Sequence, residues 1–198
     1  MPSWSMNKIT IKAKNKQKLN ELKNKLDIVK KEQRYPAKKM TYYGVLGALT
    51  DAKVDHTKID YGDSFERRKK YSLLRDLLGE YDEDRKKISP TTFNIKNIGT
   101  KWDINPNEAK IKQIKNGLVI EAPTAWTHPD IALQTLASKG YNVKVDAYNE
   151  MDGKLSTYHC DKSMCRLKKT KTPTEKEVNR LYKEQGLLWQ RLNLLIKS

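Results

Sequence analysis

Apolar and polar side chains alternate along the first strand-like stretch of the chain. Trp4, Met6, Lys8 and Thr10 fall on one side, Asn7, Ile9 and Ile11 on the other. A period of two predicts a strand with one face buried. The period then lengthens: Leu19, Leu22, Leu26 and Val29 recur at helical spacing, which predicts an amphipathic helix capped by Asn15. Between 33 and 96 the pattern loosens. Tyr35-Pro36 reads as a turn followed by a short helix, and Phe65, Tyr71, Leu74, Leu77 and Leu78, closed by Gly79, supply a second helical face, so the segment reads as a helical insertion.

After Pro90 strand patterns return: "NIGTKWDIN" through Trp102, then 117 to 122 behind the turn-forming Asn116-Gly117, then a hairpin over 141 to 160 turning at Met151 to Lys154. "PTAWTHPD", 123 to 130, lies between a strand and a helix. Pro123 is expected to stop the strand, Thr127 to cap the helix, and His128, Pro129 and Asp130 to fill its first turn. Ile131, Leu133, Leu136 and Ala137 give that helix an apolar face, and Gly140 closes it. From 161 the pattern reads as a basic linker. A long amphipathic C-terminal helix follows, capped by Thr172 with Pro173 at N1 and Glu175 at N3, its stripe running through Val178, Leu181, Tyr182, Leu188, Trp189, Leu192, Leu195 and Ile196.

The order strand, helix, insertion, strand, strand, helix, strand, strand predicts an α+β sandwich with helices on one face of a mostly antiparallel sheet. One domain over 1–160, interrupted at about 33–96, is followed by the linker and helix of 161–198. No run is long and apolar enough to cross a bilayer, and "MPSWSMNKIT" lacks the apolar core of a secretory signal, so the sequence places the protein in the cytoplasm, with no membrane partner and with Cys160 and Cys165 as thiols.

Charge sharpens this picture. The 198 residues carry a net charge of +16, and its distribution is uneven: 8 to 39 holds twelve Lys and Arg against three acids, and 161 to 198 ten against four, while the residues between are nearly neutral. Such an excess points to a polyanionic partner, against the alternative that it reflects an AT-rich genome. Lys16, Lys23 and Lys30 repeat every seven residues, as do Lys18 and Lys25, predicting a lysine ridge on the first helix. Arg166, Lys168, Lys169 and Lys171 form a second basic segment. Lys38 and Lys39 beside Tyr42 and Tyr43 mix cations with rings that stack on bases. Trp4, Trp102 and Trp126 read as core aromatics, and as base-stacking groups wherever one is exposed on the open sheet face.

Catalytic and metal signatures are weak. His159, Cys160, Asp161 and Cys165 make a poor zinc half-site without a second Cys pair. Asp51, Asp55, His56, Asp60 and Asp63 crowd one stretch, but at no Ca²⁺-loop spacing. Phosphate-cradling glycine loops, serine elbows and zincin helices are not found. No enzyme activity, metal or cofactor is expected.

"PSWSMNKITI", "GTKWDI" and "EAPTAWTHPDIALQTLASKGYNVKVDAYNEMDG" together resemble the ferredoxin-like domain of YubB-type proteins of bacteriophages and plasmids, over about half the chain. His128-Pro129 departs from the paired prolines of that pattern, and 33 to 96 and the basic tail have no counterpart in it. The resemblance implies a ferredoxin-like α+β core of mobile-element origin and carries no catalytic or cofactor residue. Pattern, charge and resemblance lead to a non-enzymatic bacteriophage nucleic-acid-binding protein that favours RNA or single strands over duplex DNA. The alternative is an effector that binds a host or defence protein through the apolar stripe of its C-terminal helix.

Overall fold

The computed structural model describes residues 4–32, 35–59, 61, 88–125 and 127–184, without the side chains of Lys38 and Glu184. Its elements run β1 (Trp4–Lys12), α1 (Lys16–Glu32), α2 (Val45–Thr50), α3 (Pro90–Asn97), β2 (Lys110–Ile114), β3 (Gly117–Ala125), α4 (Asp130–Ser138), β4 (Asn142–Asn149), β5 (Lys154–Cys160), β6 (Cys165–Lys171) and α5 (Glu175–Glu184). The strands form one sheet in the order β2-β3-β1-β4-β5-β6, with every adjacent pair antiparallel. The protein is an α+β fold, and this sheet is compatible with a ferredoxin-like sandwich.

The alternation read in β1 serves two surfaces. Ile9 and Ile11 are fully buried and pack with Leu19, Leu22 and Leu26 of α1, Leu133 and Leu136 of α4, and Leu118, Ile120, Val143 and Val145 of the neighbouring strands. Trimming Leu22 to alanine here would cost about 3 kcal/mol, the lost transfer energy plus a cavity. Asn15 caps α1 as expected, its Oδ1 accepting from Lys18 N at 2.9 Å. Gly117 is demanded by packing: a Cβ there would meet the Ile11 carbonyl oxygen at 2.0 Å. Gly140 ends α4 at φ +85°, where an L side chain is strained.

Several expectations are corrected. The expected strand over 97–105 is instead the end of α3 and the loop that follows it; Ser89 caps that helix, its Oγ accepting from Thr92 N at 3.1 Å, with Pro90 at N1. Pro123 does not end β3, which runs to Ala125: beyond Glu121 no β2 residue lies alongside, so an imino acid without an N–H is tolerated there. Helix α4 starts at Asp130 with Pro129 at the cap position; neither Thr127 nor His128 is helical. Ile131 is exposed while Ala132 is buried. The β4–β5 turn occupies 150 to 153, one residue earlier than read. The segment 161 to 171 is no linker, since it contains β6. Thr174, not Thr172, caps α5, in a reciprocal box with Glu177: Thr174 N donates to Glu177 Oε2 at 2.9 Å and Glu177 N to Thr174 Oγ1 at 3.3 Å.

Part of the expected insertion belongs to the core, for Val45, Leu46 and Leu49 of α2 pack with β1 and α4 residues in the same cluster. The helical face from Phe65 to Gly79, Asp60, Asp63, Trp126 and the stripe from Leu188 to Ile196 lie outside the described residues.

Candidate nucleic-acid interface

Helix α1 does not present one uniform lysine ridge. Lys25 is only 13% exposed; its Nζ meets Asp51 at 2.7 Å and Glu21 at 3.0 Å, and Asp51 also holds Lys139 at 2.6 Å. Burial works against ionisation of Asp51, but Lys139 and Lys25 outweigh it and hold the carboxyl below its ordinary range. Lys18 meets Glu21 at 3.5 Å and lies 5.2 Å over the Tyr141 ring. Both lysines brace α1 against α2 and α4. Lys16, Lys23 and Lys30, on the other flank, have no ion pair among the described residues. Lys16 and Lys23 line a groove of about 450 Å³ with Asn15, Asn20 and the β2–β3 turn residues Lys115 and Asn116.

Among the described residues no helix other than α5 packs on the sheet face opposite the core, and this face collects cations that are scattered in sequence. On the alternate positions of β1, away from the core, strand register aligns two rows across the sheet. One reads Lys110, Glu121, Lys8, Asp146, Thr157, Lys169; the next reads Lys112, Val119, Thr10, Lys144, His159, Arg166. Six strands span roughly 24 Å from β2 to β6. Lys8 and Lys112 share Glu121 at 3.6 and 3.7 Å, Lys144 meets Asp146 at 3.0 Å, and Arg166 meets Asp161 at 3.0 Å. Lys12, Lys110 and Lys169 have no ion pair among the described residues. Lys171 is tied to Glu177 of α5, and Lys168 is the extra residue of the β5–β6 bulge. At the Trp4 end, α5 covers this face with Val178 and Tyr182 on Met6, beside Trp4, Tyr148 and Leu181.

The two basic segments do not converge. The groove beside Lys16 and Lys23 adjoins β2, at one edge of the sheet and on its helical side, whereas β6 is the other edge.

The proposed stacking tyrosines are occupied. Tyr42 is 5% exposed and packs with Val29 and Ala48. Tyr43 sets its ring edge-on to Phe93 and shares a 2.8 Å hydrogen bond with Tyr61, whose hydroxyl meets His56 Nδ1 at 2.6 Å. Burial, then the Tyr61 contact, raises the Tyr43 hydroxyl well above its usual range. Lys39 is exposed in a 3-10 turn. Cys160 and Cys165 are not thiols. They sit opposite each other at the turn end of the β5–β6 hairpin, joined as a disulfide, which removes the support that free thiols gave to a reducing compartment. Asp161, between them, turns the hairpin by accepting from Ser163 and Met164 N. Among the described residues no group of three His, Cys, Asp or Glu could hold a metal, and no helix is long and apolar enough to cross a membrane.

The expected strand around Trp102 conceals a second site. Trp102 is 41% exposed, and its ring lies 5.8 Å from that of Trp4, tilted by 39°. Together they flank a cleft of about 280 Å³ against the uncovered edge of β3, with Pro123 and Thr124 on one wall and Asn105 and Glu108 on the other. Each of the three stretches that carry the family resemblance contributes to it. Beneath it, Asn7 Nδ2 donates to Ser5 O at 2.8 Å and Thr124 Oγ1 at 2.8 Å, and Thr124 Oγ1 donates to Thr127 O at 2.6 Å, so the "PTAWTHPD" joint is fixed by a buried polar network. His128 stacks on Tyr158 at 4.3 Å; burial lowers its pKa, with Asp130 opposing. Asp103 caps α2 from outside the helix: Oδ1 accepts from Leu46 N at 3.0 Å and Oδ2 from Gly47 N at 2.7 Å. Burial pushes it up to about 6, while backbone N–H groups pull the other way.

Sequence reading missed the sheet-face rows because their members are never neighbours in the chain. The alternation of Lys8 with Ile9 was the available signal. Comparison with protein-family models, curated proteins and solved structures finds no match to this chain, so its function is argued from these surfaces alone.

Proposed function

We propose that this is a non-enzymatic nucleic-acid-binding protein with a ferredoxin-like core, of bacteriophage or plasmid origin and acting inside the host cell. It binds RNA or single strands in preference to duplex DNA. The observation that carries this reading is the pair of cation-bearing rows across the sheet face opposite the core, where Lys110 and Lys169, and Lys12 one pair further along β1, have no acidic partner among the described residues. Phosphates laid across the strands meet cations interrupted by Glu121 and Asp146, and the sheet is a broad, shallow surface suited to a splayed single strand rather than a rod fitted to a duplex groove. Lys16, Lys23 and Lys30 on α1, and Lys39, add only long-range attraction and do not touch the bound strand.

The effector reading needs an apolar helix stripe open to a partner. Val178 and Tyr182 at the start of that stripe are buried on Met6, and Leu188 to Ile196 lie outside the described residues. The test is binding of fluorescent single-stranded RNA, single-stranded DNA and duplex DNA over a salt series. Affinity should fall linearly on a log–log plot as counterion release is lost, with single strands bound more tightly than duplex. No binding at physiological salt, or a flat salt response, would sink the proposal and return the host-protein reading.

A further inference from the structure

We infer that the Trp4–Trp102 cleft is a subsite for one unpaired nucleobase bearing an exocyclic amino group, and that it captures this base from the strand whose phosphates cross the sheet. The inference rests on the nucleic-acid reading above and adds a site and a base preference to it.

Three features define the occupant. The cleft is lined by two indole rings among small and polar side chains, and at about 280 Å³ it falls just below the range of drug-sized pockets, which suits a single ring system. Its charge is mixed. Asp103 and Glu108 line it, while Lys101 Nζ lies 4.9 Å from the centre of the Trp102 ring, a cation that a stacked base would displace. Its hydrogen-bonding capacity is selective. Both Asp103 oxygens are taken by backbone N–H groups, Asn105 Oδ1 accepts from Asn107 N, and Thr124 Oγ1 is engaged on both sides. Glu108 Oε1 accepts from Asn105 Nδ2 at 2.9 Å. Glu108 Oε2 accepts from no described residue, so it is the side-chain acceptor of the lining with both lone pairs open. It selects a base edge that offers an N–H₂ donor, as adenine, cytosine and guanine do and uracil does not.

Position agrees with this. Trp4 lies on β1 four residues from Lys8, roughly 13 Å along the strand, so the cleft opens about that far from the nearer cationic row. Helix α5 lies on Met6 between the two, so the row and the cleft take different nucleotides of one strand. Trp4 is held from behind by α5, and Glu150 Oε2 accepts from its backbone N at 2.7 Å, so the stacking ring is pre-positioned.

The experiment compares the full chain with Trp102→Ala, Trp102→Phe and Glu108→Gln, titrated with fluorescent oligo(A), oligo(C) and oligo(U) RNA at one salt concentration. Oligo(A) and oligo(C) should bind more tightly than oligo(U). Trp102→Ala should weaken oligo(A) roughly tenfold, the range of a lost base–aromatic stack, with Trp102→Phe recovering most of the loss. Glu108→Gln should erase the preference over oligo(U) while leaving the salt dependence unchanged, a result that general destabilisation would not give. If every variant binds all three oligomers as the unaltered chain does, the subsite is overturned and the nucleic-acid reading stands. If the unaltered chain binds none of them, that reading falls and the subsite with it.

Discussion

The lysines of α1 and those of the sheet face carry the same charge, and each set is partly paired. Lys18 and Lys25 on α1 and Lys8, Lys112 and Lys144 on the sheet meet acids, while Lys16, Lys23 and Lys30 and, on the sheet, Lys12, Lys110 and Lys169 meet none among the described residues. On α1 they are dense in sequence, yet Lys18 and Lys25 are spent on Glu21 and Asp51 and hold the helix to its neighbours. On the sheet they are sparse in sequence, one or two per strand, and the fold assembles them into rows. A run of like charges therefore locates a helix face but does not say whether that face is free. Free charge is decided by which acids the tertiary structure brings near.

The comparison breaks most sharply at Lys12, Lys110 and Lys169. Changing all three to Glu should weaken single-stranded RNA binding about a hundredfold and reduce the slope of log K against log salt by roughly 2, at about 0.7 per phosphate contact. The same reversal at Lys16, Lys23 and Lys30 should change affinity less than about threefold, because charges beyond a Debye length are screened. Opening the Cys160–Cys165 bridge, by Cys165→Ser or by reduction, should cost about 2 kcal/mol in chemical denaturation, as expected for so short a loop, and should weaken binding by loosening β6. Asp51→Asn, which keeps a residue tolerant of its φ of 61°, should lower stability by about 1 kcal/mol and leave RNA affinity unchanged, marking Lys25 and Lys139 as braces.

The smallest effect is a pH dependence at the joint. The His128 pKa is depressed in the folded state, so below 6.5 the unfolded chain takes up the proton first and stability is lost as pH falls through the folded value. His128→Phe keeps the stack on Tyr158 and should lose less stability than the unaltered chain between pH 7 and 5, read as the difference between their thermal midpoints. Equal losses would place the acid sensitivity elsewhere.

Much of the fold was legible where one face is buried and the other wet. β1, α1, α4 and the β4–β5 hairpin carry that contrast and their periods reveal them, whereas β3 is buried along nearly its whole length and was legible from Val119 and Ile120 behind the Asn116-Gly117 turn. β6 was illegible for want of that contrast: from Arg166 to Lys171 every residue is exposed, so an edge strand reads as a basic linker. β2 is similarly polar. The capping of α2 by Asp103 and the coupling of Lys25 to Asp51 join distant segments and leave no local trace. Of the candidate site, the lysines of α1 and β6 were visible as charge. Tyr42 looked like a stacking residue because a tyrosine among lysines has the same sequence signature whether it is buried or not.

The central claim is that the sheet face opposite the core, and not α1, meets the nucleic acid. The most direct measurement is an amide chemical-shift titration of the labelled protein with a short single-stranded RNA. The account predicts shifts concentrated on β1, β4, β5 and β6 around Lys8, Lys144, His159 and Lys169, with α1 nearly silent. Shifts confined to α1 around Lys16, Lys23 and Lys30, with the strands unmoved, would contradict it.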